Sequence, residues 1–324
     1  MTDYVGVIGE ALVDVVMSDT ATPRAHVGGS PLNVAVGLAR LGQNVFFAGR
    51  YGRDEYGSMV REHLGRNGVD AVLEPDDIPT SVATARLDPT GVAHYDFDLD
   101  WTLPESAKTS ELICGAMSRD GRPQSLKHLH TGSIATVLEP GASTVMEILA
   151  ALAPDVTLSY DPNCRPSIVP DRPSARKRAE KSVALADIVH ASDEDLSWLY
   201  PDRSLEDVIV QWQRLGPAIV VLTCGETSIL CATAAGVSDH PVQPVEVADT
   251  VGAGDSFTAA LLVALADREL LGADRREALR TINAQDTADV LAYAARAAGI
   301  TSSRPGADPP TREELECSRT RSAP

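Results

Sequence analysis

The chain has 324 residues, 44% of them hydrophobic and 4% aromatic, which suits one large domain with a core of mainly Ala, Val, Leu and Ile. A formal net charge of −18 argues against nucleic acid and against an anionic membrane as partners. Five scattered cysteines, the lack of a signal-peptide pattern and the lack of a long apolar run predict a cytoplasmic protein without a membrane span.

The first residues predict two strands, and the second carries a charged side chain. Residues 5–8 form a short apolar run that ends in a Gly-Glu turn, and residues 11–17 continue with strand-forming residues. Asp14 lies within this second run. A lone carboxylate among apolar residues must lie on an exposed edge, be paired, or bind something. An exposed edge charge and a functional group are equally good interpretations of Asp14.

A glycine pair precedes the first predicted helix, which covers residues 32–41 and ends at Gly42. Gly28 and Gly29 give a ligand close access to the backbone, and the following Ser-Pro suits the first turn of a helix. Asn33 falls in that turn, and its amide can both donate and accept hydrogen bonds. Such a group can recognise sugar hydroxyls, although a capping or turn asparagine is the alternative.

A small second sheet is predicted from a hairpin in the first third of the chain. Two runs of alternating polarity are separated by Asp-Pro-Thr-Gly at residues 88–91, which is a hairpin signal. Together with the strand that carries Asp14, this hairpin could form a sheet apart from the main body. The result would be a candidate lid formed by about residues 11–27 and 81–101.

Alternation of strands and helices along the rest of the chain predicts an α/β fold with a mostly parallel sheet covered by helices. The predicted strands of this main body are residues 5–8, 44–50, 71–73, 126–130, 156–160, 188–191, 218–222, 228–232 and 236–240. The predicted helices are residues 32–41, 55–67, 142–152, 174–186, 193–199, 205–215, a helix from 253 onward, 275–280 and 287–298. His128 and His130 could bind a metal, but no third ligand is near them in sequence, so we interpret both as structural.

The most informative stretch is residues 249–262. Gly252, Ala253 and Gly254 form a tight turn before an Ala- and Leu-rich helix, whose free N–H groups attract anions such as phosphate. Asp255 lies in the first turn of that helix, where the helix dipole favours the ionised carboxylate. Phosphoryl transfer to an alcohol could use this arrangement, because the N–H groups hold phosphate while the carboxylate takes the hydroxyl proton. By itself, such a stretch is more often an ordinary cap and turn.

Two separated motifs together resemble the ribokinase-like (PfkB-type) sugar kinases. Residues 28–35, which read Gly-Gly-x-Pro-x-Asn-x-Ala, resemble the N-terminal signature of that family, with Gly42 and Gly52 further on. Residues 249–255, which read Asp-Thr-x-Gly-Ala-Gly-Asp, resemble its C-terminal signature. The resemblance covers residues 1–315 and leaves 316–324 as a polar tail. It implies a ribokinase-like three-layer sandwich with a mostly parallel sheet and a small β-sheet lid.

The resemblance also implies roles for individual residues. Asp255 corresponds to the general base of the family, and the backbone N–H groups of Gly252, Ala253 and Gly254 correspond to its anion hole. The implied sugar-binding positions are Asp14, Gly28, Gly29 and Asn33. The implied nucleotide contacts are Thr223 and Gly225, and the implied monovalent-cation site is Asp249 with the carbonyl of Val251.

One region departs from the best-known family pattern. Many relatives carry Asn-x-x-Glu before a helix, where it organises magnesium and phosphate, whereas this chain has Ser192-Asp-Glu-Asp195. Asp195 could replace the glutamate, but Ser192 is a shorter ligand than asparagine and makes a good helix cap. Asp195 and Asn163 are the expected contacts to the nucleotide and its metal. The implied cofactors are ATP and Mg²⁺, because Mg²⁺ neutralises the β- and γ-phosphates, with K⁺ as a further candidate.

The fructokinase branch is the part of the family that the chain resembles most, through residues 9–14 and 161–166. Arg165 could bind the transferring phosphate or an acidic sugar, and a surface ion pair is the alternative. Kinases of 2-keto-3-deoxygluconate share a similar Asp-x-Asn-x-Arg, but the acidic residues over 94–101 would repel a carboxylate substrate. Fructose, phosphorylated on its terminal hydroxyl, is therefore favoured over the keto-deoxy acid and ribose.

Proteins of other classes fit the sequence less well. A dinucleotide-binding oxidoreductase would need G-x-G-x-x-G directly after the first strand, and a P-loop ATPase would need a Walker motif, and neither is present. A non-catalytic sugar sensor on the same fold would be expected to have lost the carboxylate that Asp255 supplies. The edge strands of the lid invite a partner strand, so a homodimer through the lid is expected.

Overall fold

The computed structural model describes residues 2–18, 21–87, 93–116 and 124–321. The strands are β1 (Thr2–Ile8), β2 (Leu12–Ser18), β3 (Ala21–Gly28), β4 (Asn44–Ala48), β5 (Val69–Ala71), β6 (Ser81–Leu87), β7 (Ala93–Asp98), β8 (Gln124–Gly132), β9 (Thr157–Asp161), β10 (Ile188–Ser192), β11 (Ile219–Cys224), β12 (Ser228–Thr233) and β13 (Gly236–Pro241). The helices are α1 (Ser30–Arg40), α2 (Glu55–Arg66), α3 (Ser106–Ala116), α4 (Gly141–Leu152), α5 (Arg172–Leu185), α6 (Asp193–Leu199), α7 (Leu205–Leu215), α8 (Ala253–Ala266), α9 (Arg276–Arg280), α10 (Ala284–Ser302) and α11 (Arg312–Arg321).

The larger sheet is mostly parallel, as predicted. Within the described residues it has nine strands in the order β13-β12-β11-β10-β9-β8-β1-β4-β5. All neighbours from β11 to β5 pair in parallel, and β12 and β13 add an antiparallel hairpin at one edge. The carboxyl ends of the parallel strands therefore lie along one edge, where open α/β sheets bind their ligands.

Helices cover both faces of this sheet, which makes the three-layer sandwich. Val7 of β1 belongs to the core cluster shared with α1, α8 and α10, whereas the next residue, Ile8, packs in the cluster shared with α3 and α4. The same alternation occurs on β10, where Ile188 faces the α8 layer and Val189 faces α5 and α7. Strand residues that are buried on both faces explain why the sequence shows continuous apolar runs in this part of the chain.

The smaller sheet is separate from the larger one and consists of the strands expected for the lid. Its strand order among the described residues is β3-β2-β6-β7, with β2 and β6 parallel and the outer pairs antiparallel. The predicted hairpin turn at residues 88–91 lies outside the described residues. The lid sheet therefore consists of the segments that the sequence suggested.

A buried arginine binds two of the connections between the body and the lid. Arg50 follows β4, and its side chain is 3% exposed. It donates to both carboxylate oxygens of Asp76, at 2.7 and 3.1 Å, and to the carbonyl oxygens of Ile78, Pro79 and Asp100 at 2.6 to 3.3 Å. The segment before β6 and the segment after β7 are thus bound to the same guanidinium group.

Three elements differ from the sequence expectations. Strand β5 begins two residues before the predicted strand, because Val69 to Ala71 form the register with β4. Helix α3 was not predicted, and Ile113 is its completely buried apolar residue. Helix α11 crosses the suggested boundary at residue 315. It is highly charged, and among its described side chains Leu315 is the one buried apolar residue, which gave no periodic signal. Within the described ranges, no helix has the length and apolar character of a membrane span.

Candidate active site

The glycine turn forms the start of helix α8, as the sequence predicted. Gly252 is the residue before the helix and has a φ of +75°, and a Cβ there would lie 2.6 Å from the Cβ of Ala307. At Gly254 a Cβ would lie 3.8 Å from its nearest neighbour, Cε1 of His190, which is an ordinary contact. The N–H of Ala253 donates to the carbonyl oxygen of Thr250 at 3.2 Å. The N–H of Ala253, one of the three N–H groups expected to bind an anion, therefore also closes the turn.

Asp255 lies directly after this turn and is only 8% exposed. Ser30 Oγ donates to its Oδ1 at 2.6 Å, and Asn33 Nδ2 donates to its Oδ2 at 2.8 Å. Helix α1 can bring these two donors so close because α1 and α8 cross at Gly37, where a Cβ would lie 2.7 Å from the Cβ of Ala259. The two motifs that lie far apart in sequence thus meet at one carboxylate.

The environment of Asp255 changes its acidity. Burial raises the pKa of Asp255 to about 6, although the hydrogen bonds from Ser30 and Asn33 oppose this effect. The Asp161 carboxylate raises the pKa further and Arg165 lowers it. With this pKa, Asp255 is still mostly ionised at neutral pH. Burial nevertheless makes it a weaker acid than the helix dipole alone suggested. A carboxyl with a pKa near the working pH is well matched to general-base catalysis.

A buried polar cluster lies beneath the first turn of α8. Asp161 ends β9 and lies beside His190 of β10, with 2.8 Å between Oδ2 and Nδ1. Thr258 Oγ1 lies 2.9 Å from the same nitrogen and donates to Asp161 Oδ2 at 3.3 Å. Thr223 Oγ1, at the end of β11, lies 3.2 Å from His190 Nε2. Sequence reasoning assigned no role to His190, although a histidine within the apolar run of residues 188–191 gave the same kind of signal as Asp14.

Asp195 does not present an open carboxylate. Its Oδ1 accepts the N–H of Cys164 at 2.6 Å, and its Oδ2 accepts the hydroxyl of Ser192 at 2.6 Å. Ser192 and Asp195 form a reciprocal capping box at the start of α6, which is the alternative that the sequence left open. Asn163 has a φ of +35° and donates its N–H to Asp161 Oδ1 at 3.0 Å. Both residues thus fix the loop after β9, and their contacts to a nucleotide stay a prediction.

The expected sugar-binding residues lie on β2, at the end of β3 and in the first turn of α1. Asp14 is exposed on β2, and a Cβ on Gly28 would lie 2.4 Å from its Oδ2. Gly29 has a φ of +110°, and a Cβ there would lie 2.6 Å from the carbonyl oxygen of Glu10. Partial desolvation raises the pKa of Asp14, and the charges of His26 and Arg165 oppose this. The close approach at both glycines explains why this turn contains no side chain.

Arg165 is exposed, and its guanidinium donates to the carbonyl oxygen of Cys164 at 2.9 Å. Its charge also lowers the pKa values of Glu10, Asp14 and Asp255, although burial raises that of Glu10 to about 7. The arginine therefore lies on the side of the body that carries these carboxyls. Glu10, which the sequence did not single out, accepts the N–H of Ala135 at 3.2 Å.

The remaining predicted positions lie at the same edge of the sheet or beside it. Gly225 follows β11 and has a φ of +53°. Asp249 accepts the N–H groups of Val251 and Gly306, at 3.0 and 2.8 Å, and these bonds lower its pKa. Across the described residues, no three His, Cys, Asp or Glu side chains come together as a metal site. A cation at Asp249 and the Val251 carbonyl stays a prediction.

His128 and His130 have the partners expected of structural histidines. Both are completely buried, and both ring nitrogens of His128 but only Nδ1 of His130 contact hydroxyl groups of β9. His128 contacts Thr157 at 2.9 Å and Ser159 at 2.7 Å, and His130 contacts Ser159 at 2.8 Å. Burial lowers the pKa of His128 to about 3 and that of His130 to about 4, so both rings are neutral.

Comparison with known proteins agrees with this arrangement. The model of the pfkB family carbohydrate kinases matches residues 2–314. Fructokinase from Klebsiella pneumoniae is 32% identical over 270 residues, which cover 82% of this chain and 85% of that protein. A fructokinase with bound ATP from Xylella fastidiosa has a TM-score of 0.83, 23% identity and 99% coverage of both chains. A double-mutant fructokinase from Vibrio cholerae O395, in a fructose-, ADP- and potassium-bound form, has a TM-score of 0.75, 24% identity and 98% coverage of both chains.

The two structural likenesses show the fold, and the family model with the Klebsiella relative covers most of the sequence. The glycine turn, its following aspartate and the α1 donors occupy one site in that fold. The chain therefore belongs to the pfkB family of carbohydrate kinases and is a sugar kinase.

Proposed function

We propose that this kinase transfers the γ-phosphoryl group of ATP to the terminal hydroxyl of fructose, with Asp255 as the general base. The observation that carries the proposal is the buried Asp255 carboxylate, which Ser30 and Asn33 orient at the N-terminus of α8. The names of the relatives support the substrates, because the Klebsiella and Vibrio proteins are fructokinases and the Xylella structure contains ATP.

The chemistry follows from the positions of the groups. The ionised Asp255 accepts the proton of the sugar hydroxyl, and the oxygen attacks the γ-phosphorus as its bond to the β–γ bridging oxygen breaks and ADP leaves. The N–H groups of Gly252 and Gly254 stabilise the charge that develops on the phosphoryl oxygens, with Ala253 contributing where its bond to Thr250 permits. Asp14, Gly28, Gly29 and Asn33 bind the sugar, and Thr223 and Gly225 contact the nucleotide.

The residues expected to bind Mg²⁺ and K⁺ differ in how well they fit these ions. Mg²⁺ would enter with ATP and neutralise its phosphates. Both oxygens of Asp195 are occupied by Ser192 and Cys164, so this carboxylate does not fit a direct Mg²⁺ ligand and no step depends on it. For K⁺ the donors fit better: Asp249 also accepts two N–H groups, but unlike Asp195 it is only partly buried and its pKa is lowered, and Val251 beside it offers a carbonyl oxygen. A cation there would add positive charge near the transferring phosphate.

The main alternative to a neutral sugar such as fructose is an acidic sugar. Of the acidic residues over 94–101, Asp96 pairs with Arg86 at 3.2 Å across the hairpin. Asp100 lies beside the buried Arg50, 3.9 Å from it. These pairs weaken the repulsion of an acidic sugar that the sequence suggested, and Arg165 lies on the carboxyl-lined side of the site. A 2-keto-3-deoxygluconate kinase is therefore the second candidate.

The test is ADP release with ATP, Mg²⁺ and K⁺ over fructose, ribose, 2-keto-3-deoxygluconate, tagatose and adenosine, with Asp255→Asn as the background control. We expect fructose to give the highest kcat/KM, and ³¹P NMR of the product to show a phosphate on a primary alcohol. A preference for the keto-deoxy acid, lost on Arg165→Met while fructose turnover persists, would support the second candidate. ADP release from none of the five would contradict both.

The lid also supports a proposal on assembly. Strands β3 and β7 are the outer strands of the lid sheet, and such edges offer unpaired N–H and carbonyl groups to a partner. We expect a homodimer through the lids, which sedimentation equilibrium at micromolar concentration would detect. A monomer under those conditions would contradict it.

A further inference from the structure

The cluster beneath α8 joins two strands of the sheet to the helix that carries Asp255. Asp161, His190 and Thr258 are 4%, 3% and 2% exposed and come from β9, β10 and α8. Their polar atoms lie within 3.3 Å of one another. The proposed reaction uses none of these three side chains, so their burial requires another explanation.

The cluster contacts α8 just after its first turn, at Phe257 and Thr258. Thr258 follows Asp255 by three residues, so both side chains lie on one face of the helix. The His190 ring stacks on Phe257, with 4.8 Å between the ring centroids and 26° between the planes. Its Cε1 is also the nearest atom to a Cβ built on Gly254. The ring thus contacts Phe257 on one side of Asp255 in the chain and lies near Gly254 on the other.

The first turn of a helix needs such support. Its N–H groups have no acceptor within the helix, so the backbone there is held less firmly than in later turns. Here the first regular helical bond runs from the Ser256 N–H to the Gly252 carbonyl, at 2.9 Å. Side-chain contacts from below can therefore determine where the glycine turn and Asp255 lie.

We propose that His190 is a positioning residue, which fixes the first turn of α8 through Asp161 and Thr258 and so sets the position of the Asp255 carboxylate. The inference rests on the proposed function only in taking Asp255 as the base. His190 itself touches neither sugar nor phosphate in this proposal.

The chemistry of the cluster indicates which ring nitrogen matters. Burial would raise the pKa of Asp161, but the charge and hydrogen bond of His190 outweigh it and hold this pKa below its ordinary value. The ionised Asp161 can only accept, so Nδ1 of His190 carries the hydrogen that it donates to Oδ2. Nε2 faces Thr223 instead. The contact that reaches α8 is thus on the Nδ1 side of the ring.

This assignment makes two substitutions informative. The amide nitrogen of asparagine can occupy the place of Nδ1, whereas that of glutamine reaches the place of Nε2. His190→Asn should therefore keep the donor to Asp161, and His190→Gln should lose it. Thr258→Val removes the hydroxyl that α8 contributes to the cluster. This variant tests the same contact if a His190 variant does not fold. His128→Asn is the matched control, because His128 is equally buried but bonds to Thr157 and Ser159 of β9.

The first measurement is hydrogen exchange of the backbone amides of residues 256–259, which needs no substrate. We expect exchange to rise at least about 10-fold in His190→Gln and in Thr258→Val, because local opening reports loss of contacts. In His128→Asn and His190→Asn it should stay near the level of the unsubstituted protein. Unchanged exchange in both His190→Gln and Thr258→Val would overturn the proposal, whatever the activity.

The second measurement separates kcat from KM with the best sugar of the panel. A misplaced catalytic group lowers the rate of the chemical step, so we expect kcat to fall about 10- to 100-fold in His190→Gln while KM for ATP changes less than about 3-fold. His190→Asn should recover most of this loss. Equal losses in the two His190 variants, or the same loss in His128→Asn, would overturn the positioning role. An inactive unsubstituted protein would contradict the proposed function, and the exchange experiment would still decide the inference.

Discussion

Replacing Asp255 by asparagine should stabilise the protein at alkaline pH while removing most of its activity. The side chain keeps its shape, and an asparagine can place its oxygen toward Asn33 Nδ2 and its amide toward Ser30 Oγ. Both hydrogen-bonded contacts of the carboxylate therefore have an equivalent in the variant. The negative charge, which burial makes unfavourable, is lost.

The expected gain can be worked from the pKa of Asp255. Burial raises it from the ordinary 3.8 to about 6, so the folded protein binds this proton more tightly than the unfolded chain does. The stability from this group is fully present below pH 3.8 and is lost as the pH rises through 6. Above that pH the ionised carboxyl costs about 3 kcal/mol, which Asp255→Asn should recover.

Urea unfolding at pH 5 and pH 8 measures this difference. Asp255→Asn should exceed the unsubstituted protein by up to about 3 kcal/mol at pH 8 and by clearly less at pH 5, while kcat falls by about 10²- to 10⁴-fold. Asp54→Asn is the contrast, because Asp54 caps α2 and also accepts the N–H of Thr80. It should lose about 1–3 kcal/mol at pH 8. Near-normal turnover in Asp255→Asn, or lower stability at pH 8, would refute the reasoning.

The other predictions concern the glycine turn, pH and the lid connections. Gly254→Ala should fold with stability within about 1 kcal/mol of the unsubstituted protein, because its Cβ has ordinary room, yet lose at least about 10-fold in kcat/KM if phosphate approaches that backbone. Gly252→Ala should also lose stability, since its φ is +75°, and full activity of Gly254→Ala would rule out the anion hole. The pH profile of kcat/KM should fall below an apparent pKa of about 6, the value for Asp255, and a profile flat down to pH 5 would exclude this base. Arg50→Met should lower the unfolding free energy by about 3–5 kcal/mol, because it leaves buried acceptors unpaired. The same change at Arg53, which is 60% exposed, should cost less than about 1 kcal/mol, and equal losses would contradict the role of Arg50.

Much of the fold could be predicted because its signals are local. Continuous apolar runs marked the central strands, and the glycine turn marked the start of α8 at Ala253. The hairpin of the lid was predicted from its alternating polarity, and β3 lies within the segment 11–27 that was assigned to the lid. Helix α3 and helix α11 were missed because, among the side chains that the structure describes, Ile113 and Leu315 are their buried apolar ones, which gives no clear period.

The sequence also identified Asp255 and Asn33 as candidate site residues, but it could not join them. Their contact depends on the crossing of α1 and α8 at Gly37, and the same crossing brings Ser30, which no motif argument singled out, to the carboxylate. For Asp195 the sequence left a metal ligand and a helix cap open. The contacts with Ser192 and Cys164 show the cap.

The sequence by itself determined the order of the strands and of most helices, the place of the glycine turn and the residue types around the proposed reaction. These depend on neighbours along the chain, whose geometry the covalent backbone fixes. Only the tertiary structure decided how acidic Asp255 is and which groups lie beneath it. Both depend on burial and on distances between residues such as His190 and Thr258, which belong to different elements and meet only when the sheet and α8 pack together.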